Sequence, residues 1–577
     1  MRCTDARVHV MASTSTTEPA RLAADEPRDW PAHEVFSRYL SGAGLLGAGV
    51  FFAFSLFPSL LPRAAAVQGI VSGVTVMIGY GLGVGIHRLW DFLGLPRTHG
   101  RARQITEVTV IVVVGFMIVS ATWQHVGWQN EVRSLFGMEP VGPTRWPTVL
   151  VVTVLVAALV LVAARSLRVL FHLIVRRLDR RLPRRLSLIL GAALLTVLLL
   201  TLWSGVLVNG FFTAANWFFA PRDAATEDGI VQPTSPNRSG SPASLVSWDS
   251  LGRKGRTFVA TGPTVEDLDA FNGGGAIEPI RVYAGLESAD TLQARADLVL
   301  EELERTGAFE RDVLVVATTT GTGFLDANGV DPVEYIHNGD TAIVGVQYSY
   351  LPSWISLLAD QEVVREDSRV VFDTIHSYWS TLPEPTRPDI YLYGLSLGAY
   401  GAEAVLASIG IVNEPIDGAL LTGPPFVNEL RNRLVAERDP GSPPWLPIYR
   451  DGRTVRFMSE NTGVAGSDRP WGDTRIVYLQ HASDPVVFFS PHLAYAPPEW
   501  LLDGQRGPDV ADDFVWVPIV TMWQVLLDLP AAGGVPDGFG HLYSAAANAE
   551  GWAAVTDAGW WSDIDSEALA DVLQDGA

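Results

Sequence analysis

The chain has 577 residues, 48% of them apolar, and a formal net charge of -22, which repels phosphate backbones and excludes nucleic acid as a partner. Its one cysteine, Cys3, excludes an intramolecular disulfide and any cysteine-based metal site. A single lysine, Lys254, among many arginines suggests a GC-rich bacterial coding sequence.

Residues 1–40 are mostly polar and read as a disordered cytoplasmic tail. Apolar stretches follow at 41–61, 64–86, 105–123, 148–169 and 186–208, each near the roughly 20 residues needed to cross a bilayer. Residues 41–220 are therefore expected to form a transmembrane domain of about five helices. Trp90, Trp123, Trp128, Trp146 and Trp217 lie near the expected helix ends, where interfacial aromatic anchors sit. The first stretch is no cleavable signal peptide, because a long polar segment precedes it and further spans follow.

Arginines orient the spans. Arg176, Arg177, Arg180, Arg181, Arg184 and Arg185 lie between the fourth and fifth, and Arg88, Arg97, Arg101 and Arg103 between the second and third. The other connections offer little beyond Arg63, Arg133 and Arg145. The positive-inside rule puts the N-terminus in the cytoplasm and, after an odd number of spans, the rest of the chain outside it. A multi-pass protein of the cell membrane is expected, with membrane lipids as partners, and the cluster at 176–185 could meet anionic headgroups. Residues 221–246 are rich in Pro, Ser, Thr and Gly without apolar periodicity and read as a flexible linker.

From 247 to 577 the pattern changes to short apolar runs at 312–317, 341–346, 389–393, 418–421 and 475–479, with a helix-like stretch at 363–382. Alternating strands and helices imply a mostly parallel sheet. Gly394-Leu395-Ser396-Leu397-Gly398 stands between the run at 389–393 and a stretch of small residues that reads as a helix. With 54 glycines in the chain the pentapeptide is weak alone, but strand, tight turn and helix are the context that a nucleophile elbow needs. Asp484, just past the run at 475–479, is the candidate triad acid. His541 is the candidate base; His492 lies too near Asp484 in sequence, and His481 reads as a structural neighbour beside the strand end. The order Ser396, Asp484, His541 is the α/β-hydrolase order.

An oxyanion hole needs two N–H donors. Leu397, after the nucleophile, and Thr320, in the loop Thr318-Thr319-Thr320-Gly321-Thr322-Gly323, are the candidates. That loop lacks the lysine of a phosphate-binding loop. His337 and Asp340 are read as shaping the turn before the strand at 341–346. Tyr348, Tyr350 and Trp354 could line an acyl pocket or belong to the core.

Four stretches carry a resemblance: Trp248-Asp249-Ser250-Leu251-Gly252-Arg253-Lys254-Gly255-Arg256, Tyr335-Ile336-His337-Asn338-Gly339-Asp340, Gln347-Tyr348-Ser349-Tyr350-Leu351-Pro352-Ser353-Trp354 and Gly423-Pro424-Pro425-Phe426. With these the chain resembles a bacterial membrane-anchored α/β-hydrolase family that has an N-terminal multi-span domain. The resemblance implies an α/β-hydrolase fold after an α-helical transmembrane bundle, and hydrolase activity, but no substrate. Together with the motif it leads to the expectation of a serine esterase or lipase acting on a lipid or other envelope ester, without metal or organic cofactor. The rivals are an acyltransferase with the same triad and a non-catalytic membrane scaffold or transporter. Sparse charge within the spans argues against an ion path.

Overall fold

A computed structural model describes residues 40–96, 99–201, 221–359, 361–407, 414–460, 462–464 and 469–575. Cys3, Arg97, Trp217 and the end of the fifth expected span, 202–208, lie outside the described residues.

The first apolar stretch forms helix α1, Gly42–Ser55, and stops early. Pro58 and Pro62 follow it, and a proline both lacks the N–H that a helix needs and pushes the preceding residue out of the helical region. At 14 residues, α1 is about 21 Å long, less than the roughly 30 Å of a hydrocarbon core. The next helices are α2, Ala65–Phe92, α3, Gly100–Leu135, α4, Trp146–Leu178, and α5, Arg184–Thr201. Among the described residues four helices, not the expected five, are long and apolar enough to cross a membrane. Small residues bring α1 onto α2: a Cβ on Gly47 would lie 2.3 Å from the Gly79 carbonyl oxygen, so the backbones approach too closely for any side chain.

The chain forms two compact units, one containing Leu161–Leu195 and the other joining Ser41–Val160 to Thr196–Ala577. Residues 41–160 thus belong to the same compact unit as the sheet-bearing region. Leu60, Leu61, Val132 and Phe136 are buried in one cluster with Phe488, Trp500 and Phe514 of the region after 247, which ties the two together. The expected linker is corrected as well. In 221–246, the buried Arg238 guanidinium donates to the carbonyls of Val259 and Pro263 at 3.0 and 3.1 Å. Ser244 donates to Glu302 at 2.5 Å, so the segment is packed on the domain. Its composition forecast a mostly irregular backbone, which holds beyond the helical residues 221–223, but could not show these polar anchors.

The sheet has eight strands: β1 Ile280–Ala284, β2 Val313–Thr318, β3 Thr341–Val346, β4 Asp389–Leu395, β5 Gly418–Thr422, β6 Val455–Ser459, β7 Gly463–Val464 and β8 Arg475–Leu479. Their order is β1-β3-β2-β4-β5-β8-β6-β7, parallel throughout except for the β6–β7 pair. Helices α6 Leu292–Thr306, α7 Ala327–Ile336, α8 Gln361–Trp379, α9 Leu397–Leu406, α10 Glu429–Ala436 and α12 Ala545–Val555 surround it, whereas α11 Val520–Asp528 packs with the N-terminal region. Alternate strand residues serve opposite faces. Leu314 and Val316 of β2 pack in one core with α6, α8 and α9, whereas Val313, Val315 and Ala317 pack in the other with α7 and α12. β1 escaped the sequence reading because Arg281 and Tyr283 interrupt its apolar run. Both are fully buried, Arg281 paired at 2.5 Å with each of Asp331 and Glu334 of α7.

Candidate active site

Ser396 sits between β4 and α9 with φ 55° and ψ -122°, a strained conformation for a residue with a Cβ. The flanking glycines make this turn possible. A Cβ on Gly394 would lie 2.3 Å from the Gly398 backbone, and one on Gly398 would lie 2.3 Å from the Thr318 carbonyl oxygen. The Ser396 N–H donates to the Thr422 carbonyl at the end of β5, at 2.8 Å, which ties the turn to the neighbouring strand. Ser396 itself is half-buried.

Asp484, fully buried just beyond β8, has its carboxylate saturated. Oδ1 accepts the Val486 N–H at 2.8 Å, and Oδ2 accepts both His541 Nδ1–H at 2.6 Å and the Tyr543 hydroxyl at 2.7 Å. With the proton held on Nδ1, Nε2 is the basic nitrogen of His541. Nε2 is buried and has no hydrogen-bond partner among the described residues. The ring lies against Gly423, the residue after Thr422: a Cβ there would stand 2.8 Å from His541 Cε1. Strand β5 therefore ends with one residue holding Ser396 and the next touching His541.

The loop that carries His541 is fixed by several groups. The His541 N–H donates to the Ala532 carbonyl at 3.1 Å, the Gly540 N–H donates to Ser483 Oγ at 3.0 Å, and the Gly540 carbonyl accepts from His481 Nδ1 at 3.0 Å. The other His481 nitrogen meets Glu460 at 3.3 Å, and its ring stacks on Tyr543 with centroids 4.2 Å apart. Burial disfavours the His481 cation, but the Glu460 hydrogen bond and charge outweigh it and raise the pKa. Both ring nitrogens face oxygen atoms, of the Gly540 carbonyl and the Glu460 carboxylate. Glu460 also accepts from Ser544 at 2.5 Å.

Leu397 is the first residue of α9, where backbone N–H groups have no partner within the helix. Thr320 does not fit its expected role, because its N–H donates to the Phe324 carbonyl at 3.0 Å and closes the loop on itself. His492 is exposed and meets Ser490 at 3.1 Å, apart from the Asp484 pair. His337 bonds Thr556 at 3.0 Å, and its carbonyl accepts the Asp340 N–H at 2.9 Å in the turn before β3. Tyr348 is buried with Leu397 and Tyr400, with Phe426 packed against them; the Trp354 side chain lies outside the described ones. Sequence reasoning gave no role to Tyr543, Glu460 or Ser483. Tyr543 stands two positions from His541, and that proximity was the one available signal.

A nucleophile-elbow turn at the end of a central parallel strand, with an acid and a histidine paired on later loops, defines an α/β-hydrolase. Residues 280–569 match the model of the alpha/beta-hydrolase family, and residues 56–263 match the model of that family's N-terminus. The chain belongs to this family, and membership supports a hydrolase-type function. Comparisons with curated proteins and with solved structures find no match.

Proposed function

We propose that the protein is a membrane-held serine hydrolase that cleaves a lipid or other envelope ester through an acyl-enzyme. One observation carries this reading: a buried His541 Nε2 without a hydrogen-bond partner among the described residues, its ring oriented by Asp484, lies on the strand end that also holds the Ser396 turn. Ser396 Oγ attacks the ester carbonyl carbon as Nε2 takes its proton. The negative charge passes to the carbonyl oxygen, which faces the Leu397 N–H and, in place of Thr320, the N–H of Thr319. The Thr319 side chain is anchored to the Val346 carbonyl at 2.9 Å, which holds that residue at the end of β2. The intermediate collapses, and the leaving alcohol takes the proton from Nε2. Water then attacks the acyl-enzyme with Nε2 again as base, releasing the carboxylic acid and restoring Ser396.

A lipid substrate is supported by the surroundings. The aromatic and aliphatic group of Tyr348, Leu357, Leu397 and Tyr400 flanks the elbow. The catalytic region also packs against the connections 56–64 and 136–145 at one end of α2 and α3. The acyl carbonyls of a bilayer lie at this kind of boundary. The opposite end of α2 and α3 carries Arg88, Arg101 and Arg103, so the positive-inside rule supports a catalytic region outside the cytoplasm.

The test is a fluorophosphonate probe on the full-length protein in detergent micelles. Labelling at Ser396 that disappears in Ser396→Ala is expected, together with accumulation of an acyl ester in lipid extracts of cells carrying that variant. Labelling that persists in Ser396→Ala, or no labelling of folded wild type, overturns the proposal.

A further inference from the structure

The loop that presents His541 is held on one side by the catalytic region and on the other by residues of the N-terminal helical region. Phe136, the cap of α3, is 1% exposed and stacks on Phe539 with ring centroids 4.6 Å apart and an interplanar angle of 19°. Leu61, in the proline-flanked turn before α2, covers Gly540: a Cβ on Gly540 would lie 3.1 Å from Leu61 Cδ2. These two contacts fall on the residues immediately preceding the histidine.

A third contact reaches the loop from its other anchor. Asp528, the last residue of α11, is fully buried and accepts Arg63 Nε–H at 2.8 Å and Arg63 Nη2–H at 3.3 Å, and Ser59 Oγ also donates to it. A short turn, Leu529–Ala531, leads from Asp528 to Ala532, whose carbonyl accepts the His541 N–H. The Arg63 backbone N–H is itself fixed by Gln129 of α3 at 2.9 Å. A buried pair of this kind is a weak source of net stability but holds one geometry, because either charge left alone is costly. Burial of this ion pair between the N-terminal helices and α11 is thus better explained by registration than by stability.

Given the hydrolase reading above, we infer that Phe136, Leu61 and the Arg63–Asp528 pair are positioning residues: the N-terminal helices brace the catalytic histidine, and the hydrolase region is competent only with them in place. None of these residues reaches the reacting atoms. They act by holding residues 538–541 so that Nε2 keeps its place against β5. The consequence is a mechanical link from the ends of α2 and α3 to the base.

The test uses the full-length protein in detergent micelles, with hydrolysis of a short-chain p-nitrophenyl ester and amide hydrogen exchange of residues 529–543 as readouts. Phe136→Ala is expected to lower kcat by about 100-fold, the scale of an ångström-sized misplacement, with little change in KM and with faster exchange in 529–543. Leu61→Ala should do the same to a smaller extent, and Phe136→Leu, which refills most of the space, should restore both readouts. Trp128→Ala is the control, since Trp128 packs on Phe57 at 4.9 Å in a cluster that contains no residue of the catalytic region. It should lower the melting temperature without changing kcat or the exchange of 529–543. Equal losses of kcat in Trp128→Ala and Phe136→Ala, or unchanged exchange in folded Phe136→Ala, would overturn the inference. Faster exchange in a protein whose wild type hydrolyses no ester would leave the brace standing and sink the hydrolase reading.

Discussion

The two residues proposed as nucleophile and base, Ser396 and His541, are held in place by different means. Ser396 is placed locally: five consecutive residues, two of them glycines at which a Cβ has no room, force the turn, and one hydrogen bond to Thr422 ties it to the sheet. His541 is placed by distant residues: Asp484, His481 and Ser483 from beyond β8, Ala532 after α11, and Leu61 and Phe136 from the N-terminal region. The difference teaches that a strained turn needs its own residues and little else, whereas a loop without regular structure takes its geometry from whatever packs around it.

Substitutions can break this comparison at several depths. Removal of the reacting groups has the largest expected effect: Ser396→Ala, His541→Ala and Asp484→Asn should each lower turnover by about 10⁴-fold or more with the fold intact, read by steady-state kinetics and circular dichroism. His492→Ala should leave turnover near wild type, and an equal loss there would move the base to His492.

Gly423→Ala tests the point where the two supports meet. The residue has φ 57°, and its new methyl would press on both His541 and Tyr543. A loss in kcat of about 100-fold is expected from displacement of the ring, while fluorophosphonate-independent measures of folding change less. A methyl tolerated without kinetic cost would show that the ring does not need this contact.

Tyr543→Phe removes one of the hydrogen bonds to Asp484 and keeps the ring stacked on His481. A hydrogen bond to a charged group is worth about 1.5–3 kcal/mol, so a fall of about tenfold in kcat/KM is the scale expected. No change at all would mean that the Val486 N–H and His541 orient the carboxylate unaided.

The smallest effect concerns pH. Glu460 is half-buried, which opposes its charge, yet the His481 hydrogen bond and charge prevail and lower its pKa; the pKa of His481 is raised in return. A raised histidine contributes stability that is complete below its unfolded value of about 6.5 and is lost as pH rises through the raised folded value. A depressed glutamate contributes above its unfolded value and loses that contribution as pH falls through the lowered one. The melting-temperature gap between wild type and Glu460→Gln should therefore be widest between the Glu460 and His481 pKa values and narrow on both sides. A gap independent of pH would show that the pair is not ionised.

The same division explains what could be read in advance. The strands at 341–346 and 475–479 and the elbow strand were legible because buried parallel strands are continuous apolar runs. β1 was not, since the Arg281 charge is acceptable there only because Asp331 and Glu334 wait on α7. Among the site residues, Asp484 and His541 could be placed by chain order, but Thr320 could not be excluded without seeing its N–H bonded to Phe324.

By itself the sequence determined the apolar helices, the alternation of strands and helices, and the Ser396 turn, because periodicity, proline and glycine act within a few residues of chain. Only the tertiary structure decided that 221–246 packs on the domain, that Leu61 and Phe136 share a core with the sheet-bearing region, and that Arg63 is buried against Asp528. The reason is range: steric and hydrogen-bonding rules along the backbone are written in neighbouring residues. The burial of Arg63 against Asp528 depends on two segments more than four hundred positions apart, and neither carries a mark of the other.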